Sequence, residues 1–133
     1  MLITGSTAGL GRRVAADLAA SGWDVFIHGR DPARTQAVAR ETGAAGWHAA
    51  DLSSLQEVRR LAEEVGPLDV LVNNAGVGAG TRRAPRRELS ADGHELRLAV
   101  NFLAGFLLTR LLLERIAGRV VNVASIGQAP LDF

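Results

Sequence analysis

The chain has 133 residues, which fits one domain. Its 15 basic side chains nearly balance 14 acidic ones, so no charged tail points to a polyanionic partner. The absence of cysteine excludes a disulfide framework and a thiolate metal site, and a cytoplasmic, enzyme-like α/β domain is the expectation.

Met1 to Thr4 starts as an apolar strand and does not have the layout of a signal segment. Gly5, Gly9 and Gly11 follow in Thr4-Gly5-Ser6-Thr7-Ala8-Gly9-Leu10-Gly11, spaced G-x-x-x-G-x-G. Glycine lets backbone take positive φ and approach a ligand closely. The helix expected next, Leu10 to Ala20, would point free N–H groups and its positive dipole end at an anion. A turn glycine-rich for geometry alone is the competing reading. Asp24 to His28 reads as the second strand, and Asp31 as the cap of a helix with Pro32 at its first position. That helix runs to about Thr42 and stops at Gly43.

Gly46 to Ala49 is a short third strand, and Ser53 or Ser54 caps a third helix with Glu57 placed as in a capping box. Asp69 to Asn73 is a fourth strand, apolar enough to be covered on both faces. A loop from Gly76 to Ser90 carries Arg82, Arg83, Arg86 and Arg87. No aromatic residue interleaves them, so a solvated loop fits better than nucleic-acid binding. A long helix from about Gly93 to Ile116 and a fifth strand, Arg119 to Val123, complete the pattern. The richest apolar stretch, Phe102 to Leu113, is interrupted by Thr109 and Arg110, and no membrane-crossing segment is expected.

Strands separated by helices need right-handed crossovers. The expected fold is a doubly wound parallel α/β sheet of Rossmann type, ordered 3-2-1-4-5, in a single domain over 1–133. Its cleft lies at the carboxyl ends of the strands, between the first and the fourth.

These residues resemble the short-chain dehydrogenase/reductase family. The glycine run resembles its cofactor loop, and Asp51-Leu52 its adenine-contacting pair. Asn73-Asn74-Ala75-Gly76 is similar to its N-N-A-G segment. Asn101, in Val100-Asn101-Phe102-Leu103-Ala104-Gly105, and Ser125, in Val121-Asn122-Val123-Ala124-Ser125, resemble its catalytic asparagine and serine. The stretches Asn101 to Thr109 and Ser125 to Pro130 look most like the retinol-dehydrogenase and protochlorophyllide-reductase branch.

The resemblance implies an NAD(P)-dependent oxidoreductase moving hydride between a nicotinamide cofactor and a carbonyl or alcohol. Gly5, Ser6, Thr7, Gly9, Leu10 and Gly11 would meet the pyrophosphate, Asp51 and Leu52 the adenine, and Asn74, Ala75 and Gly76 the cofactor through backbone. Asn73 would tie strands together. Asn101 would hold a water of the proton relay, or be a helix amide bonded to nearby backbone. Ser125 would hydrogen-bond the substrate oxygen. Gly29 stands where NAD-preferring members carry aspartate, and Arg30 follows, so NADP(H) is expected over NAD(H).

The family's Tyr-x-x-x-Lys motif is missing, since the sequence contains no tyrosine and all its cationic side chains besides histidine are arginine. His28, His48 and His94 are poor replacements, and no metal cluster is expected. The sequence thus reads as the cofactor-binding amino-terminal part of such an enzyme, a fragment without the carboxyl-terminal elements and inactive by itself. The complete protein would form a homo-oligomer, with no nucleic acid or membrane as partner. A non-catalytic dinucleotide-binding sensor or partner module is the alternative.

Overall fold

A computed structural model describes residues 1–78 and 88–124. Five strands, β1 (Leu2–Ile3), β2 (Phe26–Gly29), β3 (Gly46–Ala49), β4 (Leu68–Asn73) and β5 (Ile116–Asn122), form one sheet in the order β3-β2-β1-β4-β5. All four pairings are parallel. The connecting helices are α1 (Gly9–Ala20), α2 (Pro32–Thr42) and α3 (Leu55–Glu64). A fourth, α4, runs from Leu96 to Arg115. The expected doubly wound topology is the observed one.

Successive strand residues face opposite sides, and the two faces of the sheet hold two cores. Ile3 and Ile27 pack with Ala15, Val25, Val38 and Ala39 under α1 and α2. Leu2 and Leu71 pack with Val58, Leu61, Ala104, Leu108 and Leu112 under α3 and α4. Each fully buried aliphatic side chain contributes about 1.5–3 kcal/mol relative to exposure. Arg115 locks the second layer: its guanidinium donates to the Val65 and Ala62 carbonyls, both at 2.6 Å, and to the Leu111 carbonyl at 3.5 Å. One cation thereby answers carbonyls left over at the ends of α3 and α4.

Helix starts follow the sequence signals in two cases. Asp31 accepts from the Arg34 N–H at 2.9 Å ahead of Pro32, and Ser54 accepts from the Glu57 N–H at 3.4 Å. The reciprocal half of a capping box is absent, because the Glu57 carboxylate pairs with Arg60 instead. Asp92 supplies a second cap to α3, accepting the Leu55 N–H at 2.8 Å.

The long helix differs most from expectation. It starts at Leu96 rather than near Gly93, because Gly93 sits at φ +78° in a turn and Glu95 caps the Leu98 N–H at 2.9 Å. Ala99–Leu103 is a π segment, in which the Ala104 N–H donates to the Ala99 carbonyl. The helix ends in a 3₁₀ turn, Leu113–Arg115, and β5 begins three residues earlier than expected because Ile116 pairs with Leu68.

The expectation of no membrane-length segment is also corrected. By length and composition α4 is apolar enough to cross a bilayer. A run broken at Thr109 and Arg110 understates a helix that winds past them. Its buried stripe, Ala104, Leu108 and Leu112, packs into the core beside α3.

Candidate functional site: a nucleotide cleft at the carboxyl ends of β1 and β4

The chain leaves β1 through Thr4, whose hydroxyl binds three backbone groups of the neighbouring strand. It donates to the Val72 carbonyl at 3.3 Å and accepts the Asn74 and Ala75 N–H groups, both at 3.0 Å. The Asn74 amide returns the link, donating to the Thr4 and Gly5 carbonyls at 2.9 and 3.2 Å. The glycine turn is thus stitched to the Asn73–Gly76 segment. No side chain fits between them: a Cβ on Gly5 would lie 2.7 Å from the Ala75 Cα, and one on Gly11 would lie 2.3 Å from the Asn74 Nδ2. Gly5 and Gly9 take φ of +64° and +54°, which L side chains adopt at a cost.

The turn delivers the chain into α1 with no side-chain cap, since Ala8 stands at the N-cap. α2 and α3 both carry one. The open helix start faces a cleft of about 510 Å³. Gly5, Thr7, Gly9, Leu10 and Gly11 line one wall, and Arg30, Asp51 and Leu52 another. Asn74, Ala75 and Gly76 form the floor. The structure therefore brings together the nucleotide-side residues expected from sequence, with one correction. Ser6 does not line the cleft: it is fully buried, its N–H donates to the His28 carbonyl at 2.9 Å, and its hydroxyl donates to the Ile3 carbonyl at 2.7 Å. With those groups committed, Ser6 builds the turn and does not face a ligand.

Gly29 closes β2 in a crowded place. A Cβ there would fall 2.5 Å from Thr7 Cγ2 and 2.6 Å from Thr35 Oγ1, so any acidic side chain at this position would displace both threonines. Arg30 is exposed beside it. Arg34, one helical turn on, reaches the glycine turn from outside, donating to the Thr7 carbonyl at 3.4 Å. The exposed Asp51 accepts the Ser53 N–H at 2.9 Å through one carboxylate oxygen.

A second cavity, of about 710 Å³, opens on the other side of the Asn74–Gly76 segment. Asn73 holds its back wall, donating to Thr109 Oγ1 at 3.0 Å and to Asn122 Oδ1 at 2.9 Å. This is the strand-tying role expected of it, extended to α4. Asn101 lines the same cavity from the middle of the π segment. It is exposed, not a buried helix amide. Both ends of its amide engage Val77, accepting the N–H at 2.8 Å and donating to the carbonyl at 3.1 Å. Ser125 and the arginines at 82, 83, 86 and 87 lie outside the described residues.

Sequence reasoning missed three contributors: Thr4, Arg34 and His28. Thr4 had a readable signal, a hydroxyl between an apolar strand and a glycine. In the sequence His28 reads only as a poor proton donor.

A family model of short chain dehydrogenases matches residues 1–131. Human retinol dehydrogenase 12 is 38% identical over 141 residues, covering 96% of this chain and 43% of the relative. The chloroplastic protochlorophyllide reductase of Pisum sativum is 40% identical over 123 residues, covering 86% and 30%. A metagenomic short-chain oxidoreductase solved in complex with NADP superposes with a TM-score of 0.78 at 31% identity, over 98% of this chain and 63% of that one. The 3-ketoacyl-(acyl-carrier-protein) reductase of Brucella melitensis, complexed with NADH, superposes with a TM-score of 0.70 at 35% identity, over 86% and 48%. The chain spans less than half the length of the curated relatives it matches. By its matched residues and its fold, it belongs to the short-chain dehydrogenase/reductase family.

Proposed function

We propose that this chain binds NADP(H) in preference to NAD(H), as the cofactor-holding part of an oxidoreductase acting on a carbonyl or alcohol. The observation that carries the reading is the uncapped start of α1 behind a glycine turn that admits no Cβ at Gly5 or Gly11. Such a cradle fits a diphosphate: the free N–H groups and the helix dipole both favour an anion. The filled space at Gly29 leaves no room for the carboxylate that would grip a ribose 2′-hydroxyl, whereas the Arg30 fork suits a 2′-phosphate. Asp51 and Leu52 would meet the adenine edge, and the Asn74–Gly76 backbone the nicotinamide half; lining the same cleft supports this.

A bound nicotinamide cofactor supplies hydride. This chain's residues hold and orient it, and Asn101 pins the Val77 backbone between the two cavities. Ser125 is the residue proposed to bind the substrate oxygen. None of these 133 residues is a tyrosine or a lysine, so within them no such group moves the proton; a dinucleotide-binding module without turnover is the second reading.

Titration of the chain with NADPH and NADH tests the cofactor reading. NADPH is expected to bind more tightly, and Arg30→Ala to lose about 1.5–3 kcal/mol toward NADPH alone. Equal curves for both cofactors in the wild type would overturn the preference. Following NADPH absorbance with a panel of aldehydes and ketones separates the two functional readings. Binding without turnover is expected of these residues. Turnover abolished by Ser125→Ala would mean that another acid replaces the tyrosine.

A further inference from the structure

His28 is buried to 2% exposure near the end of β2, and three hydrogen bonds join it to the start of the glycine turn. Its carbonyl accepts the Ser6 N–H at 2.9 Å, its N–H donates to Ser6 Oγ at 2.9 Å, and its ring Nδ1 accepts the Gly5 N–H at 3.2 Å. The first two are backbone links that any residue could make through its main chain. The third belongs to the imidazole. Gly5 lies where β1 has ended and the turn has begun, and Ala75 packs directly over its Cα. A partly buried N–H held there needs an acceptor, and the side chain of the next strand provides it.

Because Nδ1 accepts, the ring proton sits on Nε2. Nε2 is buried toward the Ala50 backbone, without a hydrogen bond of good geometry among the described residues. Burial lowers the pKa to about 4; the Ala50 backbone offsets part of this, and His48 on β3 opposes the positive charge further. Thr4, Gly5 and Ser6, on the other side, bring no charged side chain. The imidazole is therefore a fixed neutral acceptor in one tautomer.

The geometry points to His28 as the positioning residue of the cofactor turn: its Nδ1 fixes the Gly5 peptide so that the turn aims the open start of α1 at the dinucleotide diphosphate. The inference rests on the cofactor reading above. It assigns the ring a role in binding rather than in proton transfer.

The test compares His28→Leu, His28→Asn and His28→Gln in the full chain, with NADPH titrations run well below each variant's melting temperature. The asparagine amide oxygen can occupy the place of Nδ1, whereas the glutamine amide lies one methylene farther out. Leu and Gln are expected to weaken NADPH about tenfold, the worth of one positioned hydrogen bond, and Asn to stay within about threefold of wild type. Hydrogen exchange at the Gly5 amide is a cofactor-independent readout: faster in Leu and Gln, unchanged in Asn. If His28→Leu does not fold, the Asn–Gln contrast carries the test. NADPH affinity equal to wild type in Gln, or Asn no better than Gln, would overturn the positioning role. Wild-type chain that binds neither NADPH nor NADH would overturn the cofactor reading, and this inference with it.

Discussion

The two cavities that flank the Asn74–Gly76 segment are built by different means. Around the glycine turn, the contacts run mainly through backbone: Thr4, Ser6, His28 and Asn74 spend their polar atoms on main-chain groups of β1, β2 and β4. Around the second cavity, side chains also meet each other: Asn73 joins Thr109 and Asn122 through amide and hydroxyl, while Asn101 bonds the Val77 backbone. Its rim carries the exposed and stacked Phe102 and Phe106, with ring centroids 6.2 Å apart. The first region is closed to side-chain variation because atoms already fill the space. The second is open to it, because exposed side chains form its rim.

Adding one methyl group is the strongest way to break the contrast. Gly11→Ala places its Cβ 2.3 Å from Asn74 Nδ2. NADPH affinity is expected to fall at least about a hundredfold, with about 1–3 kcal/mol of stability lost to overpacking, in parallel titrations and urea melts. Gly66→Ala has nothing within 4 Å of the new Cβ and is expected to leave both unchanged. If the two variants behave alike, the turn is not close-packed in solution.

Acid tests the same region through His28. Its folded pKa of about 4 lies below the ordinary 6.5, so between those values the unfolded chain binds the proton and the folded chain does not. The stability tied to the neutral ring is complete above pH 6.5 and is lost as pH falls toward 4, by about 3 kcal/mol in all. Urea melts at pH 7, 5.5 and 4.5 should show the slope, and His28→Asn should flatten it. An unchanged slope in that variant would place the acid sensitivity elsewhere.

The second region is expected to respond separately. Asn73→Ala leaves Thr109 and Asn122 without their partner, and about 1–2 kcal/mol of stability should go. The NADPH dissociation constant should move by less than about twofold. A large loss of NADPH affinity would mean that the two cavities are one mechanical unit. The smallest effect belongs to the rim. Phe106→Gln, at a site 59% exposed, should change stability by no more than about 0.5 kcal/mol, measured by thermal melting.

The same division explains what was legible in the sequence. Glycine spacing, the Asp31 and Ser54 caps and the apolar β4 depend on local backbone rules, and they made the strand order legible, with a cleft at the carboxyl ends of β1 and β4. Ser6 was misread because its neighbours in sequence suggest a ligand-facing turn, while its actual partners, Ile3 and His28, are chosen by the pairing of β1 with β2. The alternative of a helix amide bonded to nearby helix backbone fails for Asn101, because an apolar run hides the change of helical pitch that exposes it. The caps at Asp92 and Arg115 join residues dozens of positions apart, and no local pattern announces them.

That change of pitch affects which helix residues meet the two cavities. A π turn carries one residue more than the ladder on either side, and one residue is worth about 100° around a regular helix. Ala104, Leu108 and Leu112 keep their places in the core, so the offset falls on the residues before them. Val100 and Asn101 turn to line the cavities, while Phe102 stays exposed on the rim. Deleting one residue within Ala99–Leu103 would restore an even winding and leave the stripe under α3 intact. The segment from Glu95 to Asn101 would then revolve away from Val77, as a key cut for one lock is turned a quarter past it.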